Sequence, residues 1–317
     1  MTQSYRVLCS GSIDAGEVDL GLVLSVYNFG FWFNGETGVL QLDIGGKILA
    51  LIDRNGSYKI YSSGNGSDCS IYEDEIEYLL GINEDLSSFH ERGASDPLLG
   101  AFIRKYRGWR VRSTSLWWAL VIGVCQQNAS FRQGWTTLYN IVKGYGKRVV
   151  LDGYETYLVP TPRDIVNNPE VLVTARTGYR YKTIIGIAEW FLENPGVEEK
   201  LVDMGSRSIE EELKSIRGVG SYTARLALIL GFRRYDLPPI DRWLRRIAST
   251  VYGVDEKSVE EEWTRRWNRY SGLAALATTI ALDAEPLTKA LQRIRENRLL
   301  PEDTGKPTPL TLWKYYK

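Results

Sequence analysis

Asp241, preceded by Pro-Pro-Ile, opens an arginine- and leucine-rich run, and upstream of it lies the tight turn Gly218-Val219-Gly220. A carboxylate at the start of a helix caps it, accepting bonds from N–H groups that have no other partner. An ionised carboxylate can also stabilise positive charge developing on a bound molecule, and can orient or deprotonate an attacking water. The two uses are compatible, because a cap fixes the rotamer that chemistry needs. The glycine turn offers a different chemistry. The unpaired N–H groups of the helix it introduces carry partial positive charge and can hold a phosphate without reading sequence. Glycine lets the phosphate approach the backbone and lets the turn adopt positive φ, and Arg217 adds a cation beside it.

Other residues could line or serve such a site. Tyr222, just behind the turn, can stack on a flat ring or simply pack at a helix start, and Trp118 and Trp243 are further aromatic candidates for a pocket around it. Gln127, Asn128 and Arg132 lie in the run Gln126-Gln127-Asn128-Ala129-Ser130-Phe131-Arg132, where capping or buried hydrogen bonding is their ordinary use. Tyr179 and Arg180 follow Gly178 in a loop before a helical run. Arg217, Arg225, Arg233, Arg234, Arg242, Arg245 and Arg246 crowd the turn and outweigh the acidic residues there, as phosphate contacts would require.

The elements that must position these residues change character along the chain. β-prone runs at 25–27, 39–43, 47–53 and 57–61 are separated by turn signals at Asn34-Gly35, Gly45-Gly46, Asn55-Gly56 and 64–66, which predicts an antiparallel meander. Helices are expected over 72–80, 85–91, 98–106, 115–125, 130–145, 162–167, 171–175, 181–193, 208–215, 221–230, 241–251, 259–270 and 272–283. The reading is an α+β chain: an antiparallel β domain over 1–80, a helical domain over 81–298 with its hairpin at 216–220, and an extended tail with an aromatic end over 299–317.

Composition excludes several classes. Lys+Arg and Asp+Glu balance at 39 each, so any contact with nucleic acid must come from a local basic face. The single histidine, His90, argues against His-dependent catalysis and a multi-histidine metal site. Cys9, Cys69 and Cys125 lack Cys-x-x-Cys spacing, which argues against a zinc ribbon, an iron–sulfur cluster or a disulfide framework. No basic-then-apolar leader and no long uncharged apolar run occur, so a cytoplasmic protein with no membrane partner is expected.

Turn and aspartate together resemble the helix-hairpin-helix DNA N-glycosylase superfamily, whose hairpin reads Leu-Pro-Gly-Val-Gly and whose catalytic aspartate follows in a Val-Asp motif. Here these read Ile216-Arg217-Gly218-Val219-Gly220 and Pro239-Ile240-Asp241, with Arg217 in place of the proline. The β-then-helical order resembles the 8-oxoguanine glycosylase branch, as do Gly178-Tyr179-Arg180 and Gly272-Leu273-Ala274. The motifs cover residues 72–285, and the β domain is matched by order and length alone.

The resemblance implies a monomer that binds double-stranded DNA, flips a damaged base and hydrolyses its N-glycosidic bond. Asp241 would then face the deoxyribose C1′, where an oxocarbenium ion develops. Arg217, Gly218, Val219 and Gly220 would grip phosphate, and a monovalent cation could sit on the hairpin carbonyls, with no other cofactor or metal expected. Tyr179 and Arg180 would wedge the duplex open, Gln127 and Asn128 would fill the gap, and Arg132 would face the widowed base. Gly30 and Trp32 would approach the base from the β domain.

Tyr222 stands where bifunctional members carry a lysine, so lyase activity is not expected. Gly220-Ser221-Tyr222-Thr223-Ala224 instead resembles the Gly-x-Trp-Thr-Ala run of the alkyl-purine branch, whose aromatic can stack on a methylated, electron-poor base. The cysteine, glutamine and phenylalanine that read 8-oxoguanine correspond to Leu226, Ala275 and Thr279. An alkylated or deaminated purine is therefore the expected substrate. The alternatives are an 8-oxoguanine glycosylase, a lyase using Lys182 or Lys214, and a non-catalytic DNA grip.

Overall fold

The structure, a computed structural model, describes residues 4–64 and 68–317, so part of the turn expected at 64–66 lies outside the described residues. The chain opens with β1 (Arg6–Ser12), α1 (Leu20–Ser25), β2 (Thr37–Gln41), β3 (Ile48–Asp53) and β4 (Ser57–Ser62). The strands form one antiparallel sheet in the order β1-β4-β3-β2. Its alternating residues serve two cores. Ala50, Ile52, Tyr58 and Ile60 pack on Val23 and Leu24 of α1 and on Ile76, Leu79 and Leu80 of α2 (Cys69–Leu80). Leu49 and Tyr61, on the other face, meet Val149 and Leu151 of a later hairpin, β5 (Arg148–Leu151) and β6 (Tyr154–Tyr157).

The β run expected at 25–27 is not a strand. Ser25 ends α1, which Asp19 caps by accepting the Leu22 N–H, and Leu20, Val23 and Leu24 bury at helical spacing. Edge strand β1 escapes periodicity because most of its residues are exposed. Contrary to the expectation from cysteine spacing, Cys9 and Cys69 form a disulfide that ties β1 to the first residue of α2. Spacing rules detect neighbours in sequence, and these two cysteines are 60 residues apart, meeting only once the sheet forms.

The helical part comprises α3 (Ser87–Gly93), α4 (Gly100–Lys105), α5 (Leu116–Gln126), α6 (Phe131–Tyr145), α7 (Pro162–Asn167), α8 (Glu170–Thr174), α9 (Tyr181–Glu193) and α10 (Val197–Val202). After them come α11 (Ser206–Ser215), α12 (Ser221–Phe232), α13 (Arg242–Tyr252), α14 (Val259–Trp267), α15 (Ser271–Ala281) and α16 (Leu287–Arg295). Of these, α5 is the axis: every residue from Leu116 to Cys125 is buried. A helix apolar on all sides must be surrounded, and α6, α9 and α12 surround it. No helix among the described residues is long and apolar enough to cross a membrane.

The tail, expected to be extended, runs back across the β domain and ends in a short helix, α17 (Leu312–Tyr315). Tyr27 N donates to Pro309 O (2.8 Å), Gly30 N donates to Tyr316 O (2.6 Å), and Trp313 meets Phe33 edge-on at 5.3 Å.

Closing a 60-residue loop should make the Cys9–Cys69 disulfide worth about 2–4 kcal/mol. Reduction, or Cys9→Ser with Cys69→Ser, should lower the thermal midpoint by several degrees; an unchanged melt would show that the bond constrains nothing.

Candidate active site

The hairpin between α11 and α12 is held by side chains from two other helices. Gly218 has φ +90°, and a Cβ there would lie 2.2 Å from Thr183 Oγ1 of α9. Gln127, at the end of α5, donates its amide to Gly218 O (3.2 Å) and Thr223 Oγ1 (2.6 Å). Gln127 is thus spent on positioning the hairpin and is not free to fill a gap. Gly220 starts α12 without a side-chain cap, and a Cβ there would meet nothing within 4 Å. The open approach to the α12 N-terminus lies at Gly220, while glycine at Gly218 answers to Thr183.

Behind the hairpin lie two adjoining chambers. The outer, about 240 Å³, is walled by Asp241, Trp243, Arg132, Tyr222 and, from the tail, Lys306 and Thr308. The inner, about 100 Å³, is walled by Tyr27, Trp109, Arg112, Trp118 and Trp135. Gln126, Phe131, Tyr222, Leu226 and Thr279 line both, so Tyr222 stands at the junction. Leu226, Ala275 and Thr279, matched in sequence to base-reading positions, do line this cavity.

Asp241 caps α13, its Oδ1 accepting the Leu244 N–H at 2.8 Å. Asp241 is exposed toward the outer chamber, where the protein around it displaces part of its water. That desolvation raises its pKa above that of an ordinary aspartate, although the N–H groups of Leu244 and Trp243 and the charge of Arg245 oppose it. Trp243, its neighbour, anchors its indole N–H on Glu285 O (2.9 Å).

The inner chamber carries a cation. Arg112 Nη2 donates to Asn28 Oδ1 (3.1 Å), and its Nε is buried without a hydrogen-bond partner. Burial pushes its pKa down to about 10, with no carboxylate countering it, so it stays charged at neutral pH. Sequence reasoning missed Arg112, because nothing local in Val111-Arg112-Ser113-Thr114 distinguishes it from a surface arginine.

Of the β-domain loop, Gly30 and Trp32 do not reach the chambers. A Cβ on Gly30 would lie 2.7 Å from Trp313 O, so its smallness serves the tail. The Trp32 indole donates to Tyr157 O (2.7 Å). Their neighbours Val26 and Tyr27 line the inner chamber instead, Tyr27 with φ +54° and its ring stacked on Trp135 at 5.5 Å.

A broad groove outside is lined by Asn128, Arg132, Arg176, Tyr179 and Arg180. Tyr179 is 60% exposed, its hydroxyl 3.5 Å from Asn128 Nδ2 and its ring 4.7 Å from the Arg180 guanidinium carbon. Arg180 also donates to Gln127 O, which ties this loop to the hairpin support. The expected basic crowd is thinner than its sequence. Arg225 is paired with Glu210 (2.9 Å) and Glu260 (2.6 Å), Arg233 with Glu84 (2.7 Å) and Arg246 with Glu256 (2.7 Å). Arg234 and Arg245 donate to backbone carbonyls. Arg217 and Arg242 remain unpaired among the described residues, as does Arg132 across the groove. Lys182 and Lys214 line neither chamber. Among the described residues no group of His, Cys, Asp and Glu could hold a metal ion.

No protein-family model matches the chain. Over 181 residues it is 28% identical to the DNA-3-methyladenine glycosylase of Bacillus subtilis (strain 168), a match covering 53% of this chain. The chain spans 58% of the length of that curated relative. The 3-methyladenine DNA-glycosylase from Archaeoglobus fulgidus is similar in structure with a TM-score of 0.67 at 18% identity, over 86% of this chain and 97% of that one. The Clostridium acetobutylicum 8-oxoguanine glycosylase/lyase, in complex with double-stranded DNA containing cytosine opposite 8-oxoG, gives 0.64 at 17% identity over 90% and 91%. These likenesses establish the fold, an antiparallel sheet followed by a helical domain carrying the hairpin, and the resemblance drawn from the motifs holds.

Gly218→Ala should cost about 1–3 kcal/mol by forcing a strained φ against Thr183, while Gly220→Ala should change stability by less than about 0.5 kcal/mol. Denaturant melts of the two variants test the assignment; equal losses would overturn it.

Proposed function

We propose that the chain is a monofunctional DNA N-glycosylase, which flips a damaged purine out of duplex DNA and hydrolyses its N-glycosidic bond to leave an abasic site. One observation carries this reading: Tyr222, on the helix that the hairpin opens, and Asp241 line the same chamber. A DNA strand gripped by phosphate at Gly220 would run past the helix end that presents Tyr222 to this chamber. A simple DNA grip needs no carboxylate there, and none lined by aromatic rings.

In this reading the sugar of the flipped nucleotide occupies the outer chamber beside Asp241 and Trp243, and the base stacks among Tyr222 and Trp118. The C1′–N bond breaks, its electron pair leaves with the base, and C1′ becomes an oxocarbenium ion. The Asp241 carboxylate stabilises that charge and orients a water, whose oxygen bonds to C1′ as its proton passes to the carboxylate. Outside, Tyr179 backed by Asn128 and Arg180 wedges the stack, recovering part of the stacking lost on flipping. Arg132 faces the widowed base, and Arg217 adds charge beside the phosphate grip. The protein acts as a monomer on double-stranded DNA, and a monovalent cation on the hairpin carbonyls would steady the turn.

Tyr222 offers no amine where the bifunctional members have one, which supports hydrolysis over lyase chemistry. A second reading rests on Lys306, a tail lysine that lines the outer chamber. Its amine could attack C1′ as the base leaves with the C1′–N electron pair, and opening of the C1′–O4′ bond with loss of the amine proton would then give an imine with the sugar. Borohydride treatment during turnover separates the readings: a trapped protein–DNA adduct lost in Lys306→Gln supports the lyase, and no adduct supports the hydrolase.

Base release is to be measured, with and without alkali, on duplexes carrying methylated purines, hypoxanthine, uracil or 8-oxoguanine. Alkali-dependent breaks at purine lesions are expected, and release from none of them would leave only the DNA grip. Asp241→Asn should slow release by about 100-fold or more while duplex affinity stays within a few-fold; retained excision would remove Asp241 from its role. The wild-type rate should fall on acidification through a pKa above that of an ordinary aspartate, because the raised pKa leaves the carboxyl neutral, hence inactive, at a higher pH.

A further inference from the structure

Two buried donors on the inner chamber's wall have no hydrogen-bond partner among the described residues, Arg112 Nε and Gln126 Nε2. They come from separate segments, the chain leading into α5 and that helix's last residue. Arg112 is also held in place. Its Nη2 donates to Asn28 Oδ1 (3.1 Å), and Asn28 in turn donates to Leu24 O (2.7 Å). Buried arginines are ordinarily matched by a carboxylate, and no ion pair among the described residues includes this one, which lies among Tyr27, Trp109, Trp118 and Trp135. The unused Nε–H belongs to a planar guanidinium edge, and such an edge fits a flat acceptor edge. Guanidinium to the O6 and N7 of a purine is the commonest specific contact of that kind.

We propose that Arg112 is the specificity-determining residue of this site, selecting an uncharged oxopurine, the class formed by deamination of adenine, over cationic N-alkylpurines. The proposal rests on the glycosylase reading above and narrows its substrate. Two effects act in the same direction. A base already carrying positive charge is repelled by an unpaired guanidinium, whereas a carbonyl edge is bound by it. As the bond to C1′ breaks, an uncharged purine departs with the electron pair and turns negative, and Arg112 stabilises that charge. A cationic purine departs neutral and gains nothing. The aromatic walls alone have the opposite preference, since ring faces attract cations. Removing the charge should therefore reverse the order of substrates as well as weaken one of them.

The test compares single-turnover release of hypoxanthine and of 3-methyladenine from otherwise identical duplexes by the wild type, Arg112→Met and Arg112→Lys, with thermal melts confirming that each variant folds. Arg112→Met should slow hypoxanthine release by about 10-fold or more and speed 3-methyladenine release. Arg112→Lys, which keeps the charge but loses the fork, should slow hypoxanthine release while still disfavouring 3-methyladenine. Equal losses on both substrates, or a selective loss on 3-methyladenine, would overturn the proposal. Quenching of tryptophan fluorescence by the free bases gives a readout that needs no turnover. Free hypoxanthine should bind the wild type and lose at least 10-fold in affinity in Arg112→Met. If the wild type releases no base yet shows this binding pattern, the glycosylase reading fails and the assignment of Arg112 stands. Release without any dependence on Arg112 has the reverse meaning.

Discussion

The close crossing of α5 and α12 is the constraint on which the site depends. A Cβ on Gly123 would lie 2.8 Å from Thr223 Cγ2, and one on Gly231 would lie 3.2 Å from Leu116 Cα, so the two helices touch almost backbone to backbone. Interiors are packed too densely for such a contact to slide by half an ångström without cost. Gln126 and Gln127 at one end of α5, and the hairpin and Tyr222 at the start of α12, are consequently fixed relative to one another. The hydrogen bonds from Gln127 to Gly218 and Thr223 lock that end. What each helix presents to the chambers follows from this crossing.

The outer chamber has a second dependence, on the tail. Asp283 and Arg293 form a buried pair at 2.6 Å, and the same Asp283 oxygen accepts the Glu302 N–H at 2.8 Å. Burial of Asp283 raises its pKa to about 6, opposed by these partners. A pair of this kind is weak evidence for stability but an effective way to fix direction. Here it sets where the chain leaves α16, and so where Thr304, Lys306 and Thr308 close the chamber wall. The tail continues to the β domain and joins its loop at Tyr27 and Gly30. The outer chamber is therefore completed by tail residues whose continuation is bonded to the β domain.

Charge within this cavity is arranged end to end. The outer part carries the Asp241 carboxylate and the inner part the Arg112 guanidinium, with Tyr222 at the junction between them. Breaking a glycosidic bond to an uncharged base separates charge in the same sense, positive on the sugar and negative on the base. Groups fixed beforehand where such charge develops lower the barrier without reorganising during the reaction. Loss of water around each group works against its charged form, raising the Asp241 pKa and lowering that of Arg112.

Taken by itself, the sequence determined the local features of this protein. Turn residues and alternation marked β2 to β4, and helical periodicity with caps marked most of the helical domain, though not the short elements α10, α16 and the β5–β6 hairpin. The hairpin, Tyr222 and Asp241 were legible because a glycine turn and an N-cap are short-range signals carried by adjacent residues. Only the tertiary structure decided what depends on encounters across the chain. It turned Gln127 from a free amide into a hairpin support, neutralised Arg225, Arg233 and Arg246 with distant carboxylates, and joined Cys9 to Cys69. It also turned Gly30 toward the tail and left Arg112 without a carboxylate partner against the inner chamber. The physical reason is the same in each case: a side chain's type fixes which bonds it can make, but its partner, or the lack of one, is set by packing between residues far apart in sequence.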